Sequence, residues 1–434
     1  MKTIRVERKE GKLDLSALKK RNPASYGKYE KTVAEIVKEV RTKGDSALIS
    51  YTEKFDGLKL KPDGIKVTER EIKDAIREVD PALIKVLKKS LQNIRDFHER
   101  QKRNSWFETE ESGIILGQKV TPLNRAGVYV PGGKAAYPST VLMNIVPASV
   151  AGVREIIMTT PAVNGRINPV TLAAAHLAGA TGIYRVGGAQ AIAAMAFGTE
   201  TVPKVDKIVG PGNIFVALAK KNVYGFVSID SIAGPSEILV IADESANPKF
   251  VAADLLSQAE HDEMASAVLI TTSEQLAEAV KKEIQEFLKK LERREIIEKS
   301  LNNYGAVLIV KDLSDAAEAA NEIASEHLEI ITENPFELMT KIRNAGAIFL
   351  GPYSSEPLGD YFAGPNHVLP TNGTARFFSP LSVDDFIKKS SVVYYSESAL
   401  KAAHKDIELF ARAEGLTAHA NSIAVRFQGG KGKD

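Results

Sequence analysis

The spacing of apolar residues changes along the chain, and the changes divide it. Over residues 31–51, Val33, Ile36, Val37 and Val40 recur at intervals of three and four, one stripe of a helix. Thr68-Glu69-Arg70-Glu71 has the hydroxyl-to-carboxylate spacing of a capping box, so another helix is predicted to open there. Asp80-Pro81 interrupts the pattern, which resumes over 82–103. The first third of the chain therefore reads as helical.

From about Gly113 short β-branched runs alternate with Ala-rich segments. Strands are predicted at 128–130, 155–159, 183–186 and 207–209, with helices over 169–180 and 190–197 and another running to Lys221. Glycine turns follow three of these strands, at Pro131-Gly132-Gly133, Gly187-Gly188 and Gly210-Pro211-Gly212-Asn213. Repeated strand, glycine turn and helix imply βαβ units on a parallel sheet. After a Gly- and Pro-bearing crossover at 233–235 the rhythm returns. It gives helix 250–263, strand 267–271, a highly charged helix 281–299, strand 307–310, helix 313–325 and strand 347–350. The stretch 344–378 is Gly- and Pro-rich and reads mainly as loop. A helix is predicted over 396–414, with Gly415 as its left-handed stop. The expected class is α/β, with two Rossmann-like parallel-sheet domains, a helical N-terminal segment and a C-terminal tail.

Composition removes several chemistries. The 434 residues contain no cysteine, which excludes a thiolate nucleophile, a Cys-ligated zinc, a redox dithiol and an iron–sulfur cluster. Any metal must be held by His, carboxylate or amide oxygen. A net charge of +2 gives no field favouring nucleic acid or an anionic membrane. No apolar run approaches the ~20 residues needed to span a bilayer. Residues 1–20 are charged and lack the apolar core of a signal peptide, so a cytoplasmic location is expected. The basic end, 431–434, reads as a solvated tail.

Candidate chemistry lies in the glycine turns and the histidines. Backbone N–H groups at such turns, next to helix N-termini, suit phosphate, although no G-x-G-x-x-G or Walker A motif is present. Tight turns need glycine in any case. Of seven histidines, His98 reads as a solvated surface residue, His176 as packed core and His404 as exposed. Gln258 and His261 are spaced to share one helix face, Glu326-His327 is read as a polar helix end, Asp360 follows a Pro-bearing loop, and His419 follows Gly415. Each also fits an ordinary structural role. Spacing alone does not link them, and Gln is a poor metal ligand.

Taken together, these segments resemble the histidinol dehydrogenase family. The longest matches are Ile229-Asp230-Ser231-Ile232-Ala233-Gly234-Pro235-Ser236-Glu237 and Ala253-Asp254-Leu255-Leu256-Ser257-Gln258-Ala259-Glu260-His261. Ser325-Glu326-His327-Leu328-Glu329, Gly359-Asp360-Tyr361, Gly364-Pro365-Asn366-His367 and Glu414-Gly415-Leu416-Thr417-Ala418-His419 agree. The resemblance implies oxidation of L-histidinol to L-histidine through the aldehyde, with two NAD+, at the last step of histidine synthesis. It implies one zinc per subunit on Gln258, His261, Asp360 and His419, and NAD contacts from Tyr129, Gln190 and Asn213. Substrate would meet Ser236, Gln258, His261, His327, Asp360, Glu414 and His419, with Glu326 and His327 as the acid–base pair. It further implies a domain-swapped homodimer whose tail completes the partner's site. The division that goes with it is an extension 1–25, one α/β domain from 26–128 with 238–381, a nucleotide-binding domain 129–237, and a tail 382–434.

The chemistry is consistent with those residues. A neutral imidazole suits removal of the hydroxyl proton, which makes His327 the candidate base. Aldehyde oxidation commonly uses a cysteine adduct; without cysteine, general-base activation of water is the consistent alternative, and Glu326 is the candidate. Four protein ligands would fill an ordinary zinc shell, so zinc is expected to anchor the substrate, with Gln258 the weak ligand. Two other readings fit less of the chain: a zinc hydrolase using Glu326 without a nucleotide, and a non-catalytic nucleotide-binding module.

Overall fold

The computed structural model describes residues 1–18, 27–132, 136–232 and 234–428. Gly133, Ala233, the end of the expected N-terminal extension and the tail 431–434 lie outside the described residues. The chain forms two compact units: residues 1–102 with 123–386, and residues 103–122 with 387–434.

The first unit contains two all-parallel sheets. The five-stranded sheet runs Ser228–Ile229, Lys207–Val209, Arg125–Tyr129, Glu155–Thr159 and Gly182–Tyr184. Its order reverses at Arg125–Tyr129, the place beyond whose carboxyl end open parallel sheets commonly take a ligand. Helices cover both faces. Gly27–Lys43 buries Val33, Ile36, Val37 and Val40 against Gly188–Phe197 and Ile214–Val223. Full burial of such a side chain stabilises by about 1.5–3 kcal/mol. Pro138–Ala151 and Pro169–Ala178 cover the other face.

The six-stranded sheet runs Lys2–Arg5, Ala306–Ile309, Ser266–Thr271, Glu237–Ala242, His327–Ile331 and Ala347–Leu350. Pro248–Ala259, Glu274–Leu288 and Arg294–Tyr304 pack on one face, and Leu313–Ile323 and Pro335–Met339 on the other. The capping box at Thr68 is present, with Thr68 Oγ1 accepting from Glu71 N and Glu71 accepting from Thr68 N.

Several sequence expectations need correction. The segment 31–51 is two helices, because Gly44 takes φ 56 and the chain restarts at Asp45–Asp56. The charged segment 281–299 spans the end of one helix and the start of another; its break contains no Gly or Pro to signal it. Helix Leu313–Ile323 stops at Ala324, held at φ 53, so Glu326-His327 does not end a helix: His327 opens a central strand. Within 344–378 the short helix Glu356–Tyr361 forms. His98 is fully buried, its Nδ1 2.7 Å from Ile94 O and its Nε2 3.3 Å from Asn366 Nδ2. His176 is exposed rather than packed, and His404 is half-buried beside Phe427.

The second unit is an antiparallel sheet, Ile387–Tyr395 with Ile114–Pro122 with Trp106–Thr109, followed by helices Glu397–Ala413 and Thr417–Ala424. Gly415 sits at φ 75 between the helices, as its position suggested.

Candidate active site

His327 owes its state to the strand beside it. Its Nδ1 lies 3.0 Å from the Glu237 carbonyl oxygen. A carbonyl only accepts, so Nδ1 carries the proton and Nε2 keeps its lone pair. Nε2 is enclosed and has no hydrogen-bond partner among the described residues. Burial pushes this imidazole down to about 3, helped by neighbouring His367 and His261. It is therefore a neutral base with its acceptor nitrogen free. The adjacent Glu326 is buried too. Its Oε2 accepts from Glu237 N at 2.9 Å, while Glu326 N donates to Glu237 Oε2 at 3.2 Å.

Asp360 faces His327 from helix Glu356–Tyr361, with its Oδ1 3.9 Å from His327 Nε2 and 3.7 Å from His367 Nδ1. One turn earlier, Glu356 hydrogen-bonds to Asp360 and accepts from Ser257 Oγ at 2.9 Å. Burial raises Asp360 to about 6; burial and then the Asp360 charge raise Glu356 to about 7. Burial also lowers His367 to about 4.

Gln258 lies on helix Pro248–Ala259, which ends before His261, so the two share a helix end rather than a helix face. Gln258 is 1% exposed, yet its Oε1 has no partner among the described residues. His261 is exposed and close enough to influence His327, His367 and Glu356 electrostatically. Ser236 is half-buried just before strand Glu237–Ala242. The first unit thus gathers Gln258, His261, His327 and Asp360 in one neighbourhood. Glu414, capping helix Glu397–Ala413, and His419, on Thr417–Ala424, are both exposed residues of the second unit.

The nucleotide candidates stand at the carboxyl ends of the five-stranded sheet. Tyr129 ends its strand; it is buried, pushed up to about 12 by burial, and its hydroxyl accepts from Gly188 N at 3.1 Å. Gln190 is buried with Nε2 unpartnered among the described residues. Asn213 is exposed and already caps Ile214–Val223, accepting from Phe215 N and Val216 N at 3.1 and 3.3 Å. Gly210, at φ 110, approaches Tyr129 so closely that an added Cβ would lie 2.1 Å from the Tyr129 carbonyl oxygen. Its N–H donates to Asp230, which pairs with Lys220 at 2.6 Å.

Sequence spacing missed Glu237, Glu356 and His367 as parts of the acid–base neighbourhood. Their signals are tertiary: Glu237 meets Glu326 across 89 residues, and Ser257 meets Glu356 across 99.

The sequence profile of the family described as histidinol dehydrogenase matches residues 19–427. Histidinol dehydrogenase of Clostridium acetobutylicum is 58% identical over 420 residues, covering 96% of this chain and 97% of that protein. That of Aquifex aeolicus is 58% identical over 412 residues, covering 95% and 96%. The chain belongs to the histidinol dehydrogenase family. A crystal structure of histidinol dehydrogenase from Elizabethkingia anophelis superposes with a TM-score of 0.92 at 40% identity, covering 99% of this chain and 98% of that one. No helix among the described residues is long and apolar enough to cross a membrane.

A divalent cation fits the donors of this histidinol dehydrogenase family site. Gln258 Oε1 is a buried acceptor with no partner among the described residues, and the buried carboxyl groups of Glu356 and Asp360 lie against each other. Atoms of His327, Glu356 and Asp360 also lie within 4.8 Å of one another and could share an ion. Two donor sets therefore meet at Asp360.

Proposed function

We propose that this member of the histidinol dehydrogenase family oxidises L-histidinol to L-histidine through L-histidinaldehyde, using two NAD+ in succession and one zinc per subunit. The dehydrogenase activity follows from family membership, which rests on the match over residues 19–427. The observation that carries the mechanism is the tautomer of His327: Nδ1–H is committed to the Glu237 carbonyl, so Nε2 can take the hydroxyl proton. Zinc would anchor the imidazole and amine of the substrate, and NAD+ would accept the hydrides.

Gln258, His261 and Asp360 would hold the metal from one subunit. Assigning His327 to proton transfer leaves it outside the shell, because one lone pair cannot serve a metal and a proton at once. Glu326, tied to Glu237 through both its side-chain carboxylate and its backbone N–H, would orient and deprotonate the water that adds to the aldehyde. Tyr129, Gln190 and Asn213 would receive the nucleotide at the glycine turns. Ser236 would meet the substrate on the approach to the Glu237 strand.

Glu414 and His419 would complete the site of a partner subunit in a homodimer. The second unit supports that reading, since it leaves Val393, Leu409 and Phe410 70%, 71% and 71% exposed, and Trp106 and Phe107 are exposed as well. Apolar surface of that kind marks an interface.

The decisive experiment follows NADH absorbance on adding histidinol, with and without a metal chelator. Growth of absorbance that the chelator abolishes supports the assignment. No NADH with metal loaded overturns it, and hydrolysis without NADH would favour a zinc hydrolase.

A further inference from the structure

Next to the residues proposed to hold the metal lie further buried or half-buried acids. Each sits on the same element as a residue of the site. Asp254 precedes Gln258 by four on helix Pro248–Ala259. Glu329 follows His327 by two on strand His327–Ile331, so both side chains point to the same face. Glu356 precedes Asp360 by four on helix Glu356–Tyr361.

These acids tie the three elements together. Glu356 N donates to Glu329 Oε1 at 2.8 Å. Glu329 also lies in hydrogen-bonding contact with the Asp254 carboxyl. Ser257 Oγ, beside Gln258, donates to Glu356 Oε2 at 2.9 Å. Glu329 stands at the junction. It is 1% exposed, and its second oxygen, Oε2, has no donor among the described residues other than a proton shared with a neighbouring carboxyl. Burying a carboxyl whose second oxygen has no other donor among the described residues is costly. Stability alone does not account for the residue.

We propose that Glu329 is a positioning residue, fixing the helix that carries Gln258 and the helix that carries Asp360 at one spacing from the His327 strand, and so setting the geometry of the metal site. The inference rests on the reading that Gln258, His261 and Asp360 hold zinc. Glu329 touches none of the reacting atoms. It acts through the Glu356 backbone on one side and Asp254 on the other.

The test compares Glu329→Leu with Glu329→Gln in the full-length enzyme. Zinc affinity is measured by competition with a chromogenic chelator, melting temperature by calorimetry, and KM against kcat with histidinol and NAD+. Glu329→Leu leaves Glu356 N without its acceptor and is expected to stay folded with a lower metal-free melting temperature, to bind zinc ~10–100-fold more weakly under conditions where it is fully folded, and to leave the KM for NAD+ unchanged. Glu329→Gln keeps an acceptor for Glu356 N and gains a donor toward Asp254, so it should restore zinc affinity to within a few-fold. Zinc affinity in Glu329→Leu equal to wild type overturns the inference and leaves the ligand reading standing. Wild-type enzyme that binds no stoichiometric zinc overturns both. If Glu329→Leu does not fold, Asp254→Asn is read by the same criteria, with weakened zinc binding expected and unchanged binding overturning the inference.

Discussion

At the carboxyl ends of the five-stranded sheet the chain turns on glycine, and helices begin there. At the amino ends of two central strands of the six-stranded sheet the chain offers side chains instead: Glu237 opens one strand and His327 the next, with Glu326 just before it. On the proposed reading the two ends solve different problems. A dinucleotide phosphate needs close approach and donors, and the constraint is steric. Proton transfer needs groups whose charge is set by their surroundings, and the constraint is burial and hydrogen bonding. One end is built by removing side chains, the other by enclosing them.

Substitutions at the two ends should therefore fail differently. The largest effect is expected at His327. His327→Ala should lower turnover of both half-reactions by about 10²–10⁴-fold while zinc content and NAD+ binding persist. Glu326→Gln, measured alongside, should slow aldehyde oxidation more than alcohol oxidation. Equal losses in both steps would dissolve the division of labour between the two residues. Single-turnover assays starting from the alcohol and from the aldehyde separate them.

At the other end, Gly210→Ala places a Cβ 2.1 Å from the Tyr129 carbonyl at a φ of 110. The turn must move, so NAD+ affinity should fall at least ~10-fold with zinc content unchanged. Titration of NAD+ followed by fluorescence or calorimetry reads this. A loss of zinc equal to the loss of nucleotide would show that the two ends are not separable.

The smallest effect concerns acidity in the metal-free protein. Burial raises Glu356 to about 7. A raised folded pKa contributes stability that is complete below the unfolded value of ~4.3 and is lost as pH rises through about 7. Glu356→Gln removes that term. Between pH 5 and pH 8, metal-free wild type should lose ~2 kcal/mol more stability than the variant, read from urea midpoints. Parallel curves would mean that Glu356 is not held protonated by its surroundings.

The contrast also explains what could be read from the chain. The glycine turns stood out because glycine is a local signal, and the strands Glu155–Thr159, Lys207–Val209 and Ala347–Leu350 were predicted to the residue. Strand His327–Ile331 was not. It is buried along its whole length, but His327 and Glu329 break the apolar run that marks such a strand, so from the sequence the acid–base pair reads as a helix end. His98 was misjudged for a related reason. Its neighbours in sequence are charged, whereas its partners, Ile94 O one turn away and Asn366 far along the chain, enclose it. In the second unit, helix Glu397–Ala413 and its glycine stop were legible from local signals.

Taken alone, the order of residues determined the alternation of parallel strands and helices, the absence of thiol chemistry, and membership in the histidinol dehydrogenase family, because periodicity, composition and long motifs are properties of the chain itself. Folding decided which imidazole is neutral, which of its nitrogens is free, and which carboxyl groups share a buried wall. Those are settled by desolvation and by partners about ninety residues or more apart, such as Glu237 with His327 and Ser257 with Glu356. No local pattern encodes a neighbour that only the packed sheets supply.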